Sequence, residues 1–146
     1  MTPLGNRSLV ALAVAGVLAA SAGAGVRAAA PSKPALYTAS QATAGAKAFA
    51  ANCAACHGDH LEGGAGPALS GATLGTLAKN TKLTIGDMFS FLAQQMPLNE
   101  PASLTHDQYT QIMAFILKTN GYPAGSKALT YSGAMDSKTL ITPAGK

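Results

Sequence analysis

The stretch Cys53-Ala54-Ala55-Cys56-His57 holds both cysteines of the chain and places a histidine directly after the second. On a helix, residues i, i+3 and i+4 share one face, so Cys53, Cys56 and His57 converge. Two thiols so placed reach the two vinyl groups of one porphyrin, while the imidazole reaches its iron from the same side. CxxCH is the attachment signature of a c-type haem. One haem c, held covalently through Cys53 and Cys56, is therefore expected, with neutral His57 as its proximal ligand. Two other chemistries fit less well. A thioredoxin-like redox pair wants a βαβ context, and no strand run flanks the motif. A structural zinc site draws its second ligand pair from a separate segment, whereas Cys53, Cys56, His57 and His60 are too compact.

The surroundings of the motif speak for export. The chain has 146 residues and opens with Met1 and Arg7 before an uncharged Ala/Val/Leu/Gly-rich run from Ser8 to Val26. That pattern reads as a secretory signal peptide over residues 1–28, with cleavage after Ala28. An uncleaved membrane anchor is the alternative, since the run is about long enough to span but weakly hydrophobic. Covalent haem attachment takes place outside the energy-transducing membrane, which makes the periplasm the expected compartment. Both cysteines are claimed by haem, so no disulfide framework remains. The formal charge of +4 loses Arg7 and Arg27 with the leader, leaving eight lysines against six acidic residues, or +2. No basic cluster with interleaved aromatics exists, which argues against nucleic-acid binding. What remains, about 118 residues, is one small domain, and a buried haem would enlarge its modest core.

Three main helices are expected. Residues 29–37, rich in Ala, Pro and Ser, read as a flexible N-terminal arm. Thr38 and Gln41 have capping-box spacing, and the first helix runs from there through Gly45 and Phe49 to the haem motif, with Gly58 as its stop. Gly45, Phe49 and Cys53 form one stripe, and Gly45 suits the close approach of another helix. Residues 58–72 form a Gly-rich loop without a Walker pattern; it suits backbone passing close to a flat cofactor, and one of its carbonyls could accept from the second ring nitrogen of His57. Residues 73–82 are polar and ambiguous, with one short helix as a reading. Thr84 caps the next helix, with Asp87 in its first turn and Ile85, Met88, Phe89 and Leu92 on its apolar face. It ends near Met96 because Pro97 disfavours helical geometry in the residue before it. Thr105 and Gln108 cap the last helix, whose stripe is Tyr109, Ile112, Met113 and Ile116 and whose end is marked by Asn120, Gly121 and Pro123. Residues 124–146 read as a C-terminal extension lying across the surface or loose, and residues 38–123 as the domain proper. No sheet is expected.

The second iron ligand decides function, because an iron with one protein ligand binds small molecules and one with two mainly passes electrons. Met96 is the best candidate: it follows a helix end, Pro97 stiffens the chain beyond it, and the 39 residues from His57 suffice to reach the opposite haem face. Met88 and Met113 sit on apolar stripes, Met135 lies in the tail, His60 is too near His57, and His106 falls in the first turn of a helix.

Assembled in this order, the Gly45/Phe49 pair, Cys53-Ala-Ala-Cys-His57, Gly66-Pro67-Ala68-Leu69, Met96-Pro97 and a final helix with Phe115 resemble the class I c-type cytochromes over residues 38–122. The resemblance implies an all-α, small cytochrome c-like fold wrapped around one covalent haem. It implies that the Pro67 carbonyl accepts from His57, that Met96 is the distal ligand, and that the first and last helices cross at Gly45, Phe49 and Phe115. Residues 112–125 and the tail are similar to cytochromes and cytochrome domains that accept electrons from periplasmic quinoprotein alcohol dehydrogenases. One departure stands out: after Ala28 the chain has neither Arg nor Trp, so Lys, Tyr, Asn or backbone groups must hold the haem propionates. There is no dense lysine ring for electrostatic docking.

The expectation is a periplasmic electron carrier, not an enzyme by itself, cycling its haem between Fe(II) and Fe(III). Its donor would be a dehydrogenase, a quinoprotein among the candidates, and its acceptor an oxidase or reductase. It would act as a monomer, with no membrane span once the leader is removed. The rivals are a haem subunit held tightly in a dehydrogenase complex, and a high-spin sensor or catalyst with an open sixth site.

Overall fold

The computed structural model describes residues 33–143, together with Met1. The expected signal peptide, residues 1–28, lies outside the described residues, as do the start of the expected arm and the last three residues of the tail. Among the described residues the architecture is helical: α1 (Ala39–Asn52), α2 (Ala54–His57), α3 (Gly71–Thr81), α4 (Ile85–Gln95), α5 (His106–Thr119) and α6 (Tyr131–Met135). There is no strand among them, only two isolated bridges, and no helix long and apolar enough to cross a membrane.

Three of the helices start where their side chains can satisfy the first free N–H groups. Thr38 with Gln41, Thr84 with Asp87, and Thr105 with Gln108 each form a reciprocal capping box, a device that pairs two otherwise orphaned donors. The core is built on the crossing of α1 and α5. A Cβ added at Gly45 would lie 1.8 Å from the Gln111 carbonyl oxygen, so the two backbones touch there and only glycine fits. One turn further on, the rings of Phe49 and Phe115 pack with centroids 5.4 Å apart. The expected crossing at Gly45, Phe49 and Phe115 is thus the one observed. Tyr109, Ile112, Met113 and Ile116 are all buried along α5.

Two regions that the sequence leaves open are specified by the fold. Residues 71–81 form a regular helix, because Leu74 and Ala78 are buried one turn apart on one face and Lys82 ends it in the left-handed conformation at φ 56°. The flanking segments are also not loose. Tyr37, expected in a flexible arm, is buried and donates its hydroxyl to the Tyr122 carbonyl at 2.6 Å, while Gly125 N–H donates to the Tyr37 carbonyl at 2.7 Å.

The C-terminal segment packs on the same core. Gln41 accepts from Leu129 N–H and donates to the Leu129 carbonyl, both at 2.8 Å. The Thr139 and Ser137 carbonyls accept from Ile85 and Gly86 N–H at 2.8 and 3.0 Å, so the tail supplies acceptors for the first turn of α4, whose N–H groups have no partner within the helix. Leu129, Ala134 and Ile141 are buried. Apolar residues spaced too widely for one helical stripe can still be buried one at a time, and that is how this segment is held.

Candidate functional site

The proximal half grows from the end of α1. The helix does not run straight through the CxxCH motif: Cys53 leaves helical geometry at φ −131°, ψ −31°, and α2 restarts at Ala54. Helical bonding resumes through the Cys53 carbonyl, which accepts from Cys56 and His57 N–H at 3.1 and 3.0 Å. Cys53, Cys56 and His57 therefore stay together on one short turn despite the break. No disulfide joins the two cysteines. Burial, with the neighbouring Cys56 adding to it, pushes the Cys53 thiol up to about 11.

The Gly-rich loop then folds back over the histidine. Gly63 N–H donates to the His57 carbonyl and Gly66 N–H to the Cys56 carbonyl, each at 2.8 Å. Gly66 presses so closely on the imidazole that a Cβ there would sit 2.9 Å from His57 Cε1. His57 Nδ1 lies 2.8 Å from the Pro67 carbonyl oxygen. A carbonyl only accepts, so Nδ1 carries the proton and Nε2 is left with its lone pair free for a metal.

The distal half hangs from α4. Its C-cap, Met96, adopts extended geometry at φ −117°, ψ 151°, as the following proline requires. The Met96 carbonyl accepts the Tyr109 hydroxyl at 2.7 Å. Between the halves lies a cavity of about 1260 Å³, walled by Phe49 from α1, Leu74 from α3, Met88 and Leu92 from α4, Leu104, and Ile112 and Ile116 from α5. All five residues singled out in the sequence, Cys53, Cys56, His57, Pro67 and Met96, line this one cavity. Of the rival ligands, Met88 also lines it, whereas His60, His106, Met113 and Met135 do not. His106 instead stacks on Tyr131, with ring centroids 3.7 Å apart.

The residues present fit a covalently held haem. The space exceeds the range of about 300–1,000 Å³ usual for small-molecule pockets, and its walls are mainly aliphatic and aromatic. The donor set of two thiols, an imidazole with a free nitrogen and a thioether suits haem iron and its vinyl groups. Among the described residues, the only carboxylates on the lining are Asp87 and Glu100, and no lysine or tyrosine lines it. Propionate contacts from lining side chains are therefore left to neutral donors such as Asn52, Asn99 and Ser103.

Sequence reading left the α3 wall open, since Leu74 and Ala78 alone give little periodicity, and it missed one feature. The Tyr109 hydroxyl left no trace, because its partner is a backbone carbonyl and not a side chain.

A helical domain with a CxxCH turn, a proline carbonyl on the histidine and a methionine-bearing cavity wall defines a class I c-type cytochrome. The comparisons agree. Residues 40–116 match the family model described as "Cytochrome C oxidase, cbb3-type, subunit III", and the chain belongs to that family. A solved structure, the sulfane dehydrogenase SoxCD from Paracoccus pantotrophus, is similar at 28% sequence identity and a TM-score of 0.52. The match covers 70% of this chain and 54% of that one, so this protein spans about half the length of the SoxCD chain that it resembles. No curated protein matches the chain. The domain is a haem-binding, electron-transferring one.

Proposed function

We propose that the chain carries one haem c, bound covalently through Cys53 and Cys56, with His57 and Met96 as axial ligands, and that it relays single electrons in the periplasm. The observation that carries this reading is the shared cavity. It is lined by a histidine whose Nδ1 is committed to Pro67, leaving Nε2 free, and by Met96 at the end of a different helix. When bound, the haem supplies a one-electron Fe(II)/Fe(III) couple. The chain does the rest. Pro67 holds the His57 tautomer and raises its basicity as a ligand. The soft Met96 thioether favours the reduced state and so a higher potential. The apolar walls keep water away and disfavour net charge at the centre. Cys56 is exposed while His57 is buried, so the thioether edge is where a partner can come closest.

The donor in this reading is a dehydrogenase, a quinoprotein among the candidates, and the acceptor an oxidase or reductase. The similarity to a chain of SoxCD favours a second form of the same role, in which the domain is held as the electron-transfer subunit of an oxidoreductase complex. Gel filtration of the protein from its native membrane and periplasmic extracts at moderate salt separates a free monomer from a complex.

The ligand assignment is tested by absorption spectra of the wild type, Met96→Ala and Met88→Ala. Met96→Ala is expected to lose the methionine–iron charge-transfer band and to lower the potential, whereas Met88→Ala keeps both. An unchanged low-spin spectrum in Met96→Ala removes Met96 as ligand. Loss of the band in Met88→Ala alone transfers the role to Met88.

A further inference from the structure

We infer that Tyr109 is a positioning residue for the distal ligand: its hydroxyl gathers both ends of the 96–104 loop and fixes the backbone of Met96. The inference rests on the reading of Met96 as iron ligand and adds a residue that acts through it.

The Tyr109 hydroxyl is at the junction of two elements. It donates to the Met96 carbonyl at 2.7 Å and accepts from Leu104 N–H at 3.3 Å. Its side chain is buried, at 2% exposure. The other hydrogen bonds of the loop are internal. Ala102 N–H reaches the Met96 carbonyl at 3.3 Å, Glu100 N–H the Pro97 carbonyl at 3.0 Å, and Ser103 N–H the Glu100 carbonyl at 3.3 Å. Going back into α4, Met96 N–H reaches the Leu92 carbonyl at 3.3 Å, and Pro97 has no N–H to give. These bonds tie the loop to itself and to the end of α4. Tyr109 ties it to α5.

That link has a mechanical consequence. α5 is in backbone contact with α1 at Gly45, and α1 ends at its C-cap Cys53, from which the short α2 carries His57. Tyr109 thus joins the distal methionine to the frame that carries the proximal histidine. Without the hydroxyl, the Met96 carbonyl keeps one bond of 3.3 Å, and Leu104 N–H loses its partner at a half-buried position. The loop then moves away at lower cost, and Met96 yields more readily to a competing ligand. One lost hydrogen bond with a group left unpaired corresponds to a change of roughly tenfold in that equilibrium.

The test is an imidazole titration of the ferric, haem-loaded full-length protein, read from the methionine–iron charge-transfer band and the Soret shift. It compares the wild type with Tyr109→Phe, Met96→Ala, the double variant and Thr110→Val. Thr110→Val removes a neighbouring buried hydroxyl whose bond, to the Asp107 carbonyl, stays within α5. The expected result is imidazole binding roughly tenfold tighter in Tyr109→Phe, no further gain from Tyr109→Phe in the Met96→Ala background, and wild-type affinity in Thr110→Val. Equal affinities for wild type and Tyr109→Phe overturn the inference, as does an equal gain in both backgrounds, while loss of the band in Met96→Ala leaves the ligand assignment standing. Met96→Ala with a wild-type band and affinity overturns the ligand assignment and the inference together. A measurement without variants guards against poor folding of Tyr109→Phe. The Leu104 amide of the wild type should exchange with solvent deuterium far more slowly than a free peptide, and exchange at the free rate refutes the clamp.

Discussion

Replacing Gly66 by alanine probes the proximal half of the site with a single methyl group. The backbone there does not need glycine's left-handed freedom, since Gly66 lies outside the positive-φ residues, so the effect is purely steric. The new Cβ would lie 2.9 Å from His57 Cε1, 3.0 Å from Nδ1 and 3.2 Å from Nε2, all inside normal van der Waals contact. A flexible side chain would move aside cheaply. His57 cannot, because Nδ1 is held 2.8 Å from the Pro67 carbonyl and the residue is buried in a short turn. Overpacking of this kind costs about 1–3 kcal/mol, and strain on the His57–Pro67 bond adds about 0.5–1.5 kcal/mol. The stiffer unfolded chain returns about 0.4–1 kcal/mol. The net expectation is destabilisation by roughly 0.5–4 kcal/mol. Denaturant unfolding of the ferric protein measures it, with the Soret spectrum recording any change at the proximal ligand. Gly75→Ala is the control: it lies inside α3, and its Cβ meets only Pro143 at 3.8 Å, so it should be neutral or stabilise by up to about 1 kcal/mol. A Gly66→Ala protein as stable as the wild type, with an unchanged spectrum, would refute the account of this loop as a backbone wall against His57.

Two further outcomes follow from packing and from charge. Gly45→Ala sets a Cβ 1.8 Å from the Gln111 carbonyl, with backbone on both sides, so α1 and α5 must separate; a loss of about 3 kcal/mol or more is expected, read as a melting temperature lower by roughly 10 °C or more. The Asp87 carboxyl is held below its ordinary value of 3.8, first by the Thr84 hydroxyl and then by Thr84 N–H. A depressed carboxylate stabilises fully above its unfolded value and loses that contribution as pH falls through the folded one. The difference in urea midpoint between wild type and Asp87→Asn should therefore be constant near neutrality and shrink below pH 3.8; a gap that widens toward acid pH contradicts the capping assignment.

The parts of the fold that were legible in the sequence are those decided by neighbours in the chain. The Thr38–Gln41 and Thr105–Gln108 boxes are formed by residues three apart and can be named without a structure, as can Thr84 as a cap; that Asp87 closes a third box is seen in the fold. Pro97 ends α4 at Met96 through a clash with the preceding residue. By contrast, α3 was obscured because a helix needing only Leu74 and Ala78 for its buried face has little periodicity to show. The course of the tail was left open for a related reason. Leu129, Ala134 and Ile141 are buried by separate contacts, and Gln41, already assigned to the cap of α1, also bonds the backbone of Leu129 88 residues away. Nothing in the local pattern of either segment announces the other.

The same division holds for the site. The sequence by itself determined the chemistry, because CxxCH at helical spacing puts two thiols and an imidazole on one turn, and because a methionine freed at a helix end is available to a cofactor. Tertiary structure alone decided how that chemistry is held. The Pro67 carbonyl selects the His57 tautomer, Gly66 and Gly45 admit backbone where no side chain fits, and the Tyr109 hydroxyl joins the distal loop to the helix that braces the proximal one. Gly45 and the Gly-rich loop left a mark in the sequence, as glycines that suit a close approach, but the Tyr109 hydroxyl left none: its partner is a main-chain carbonyl of another segment, and main-chain carbonyls are the same for every residue type.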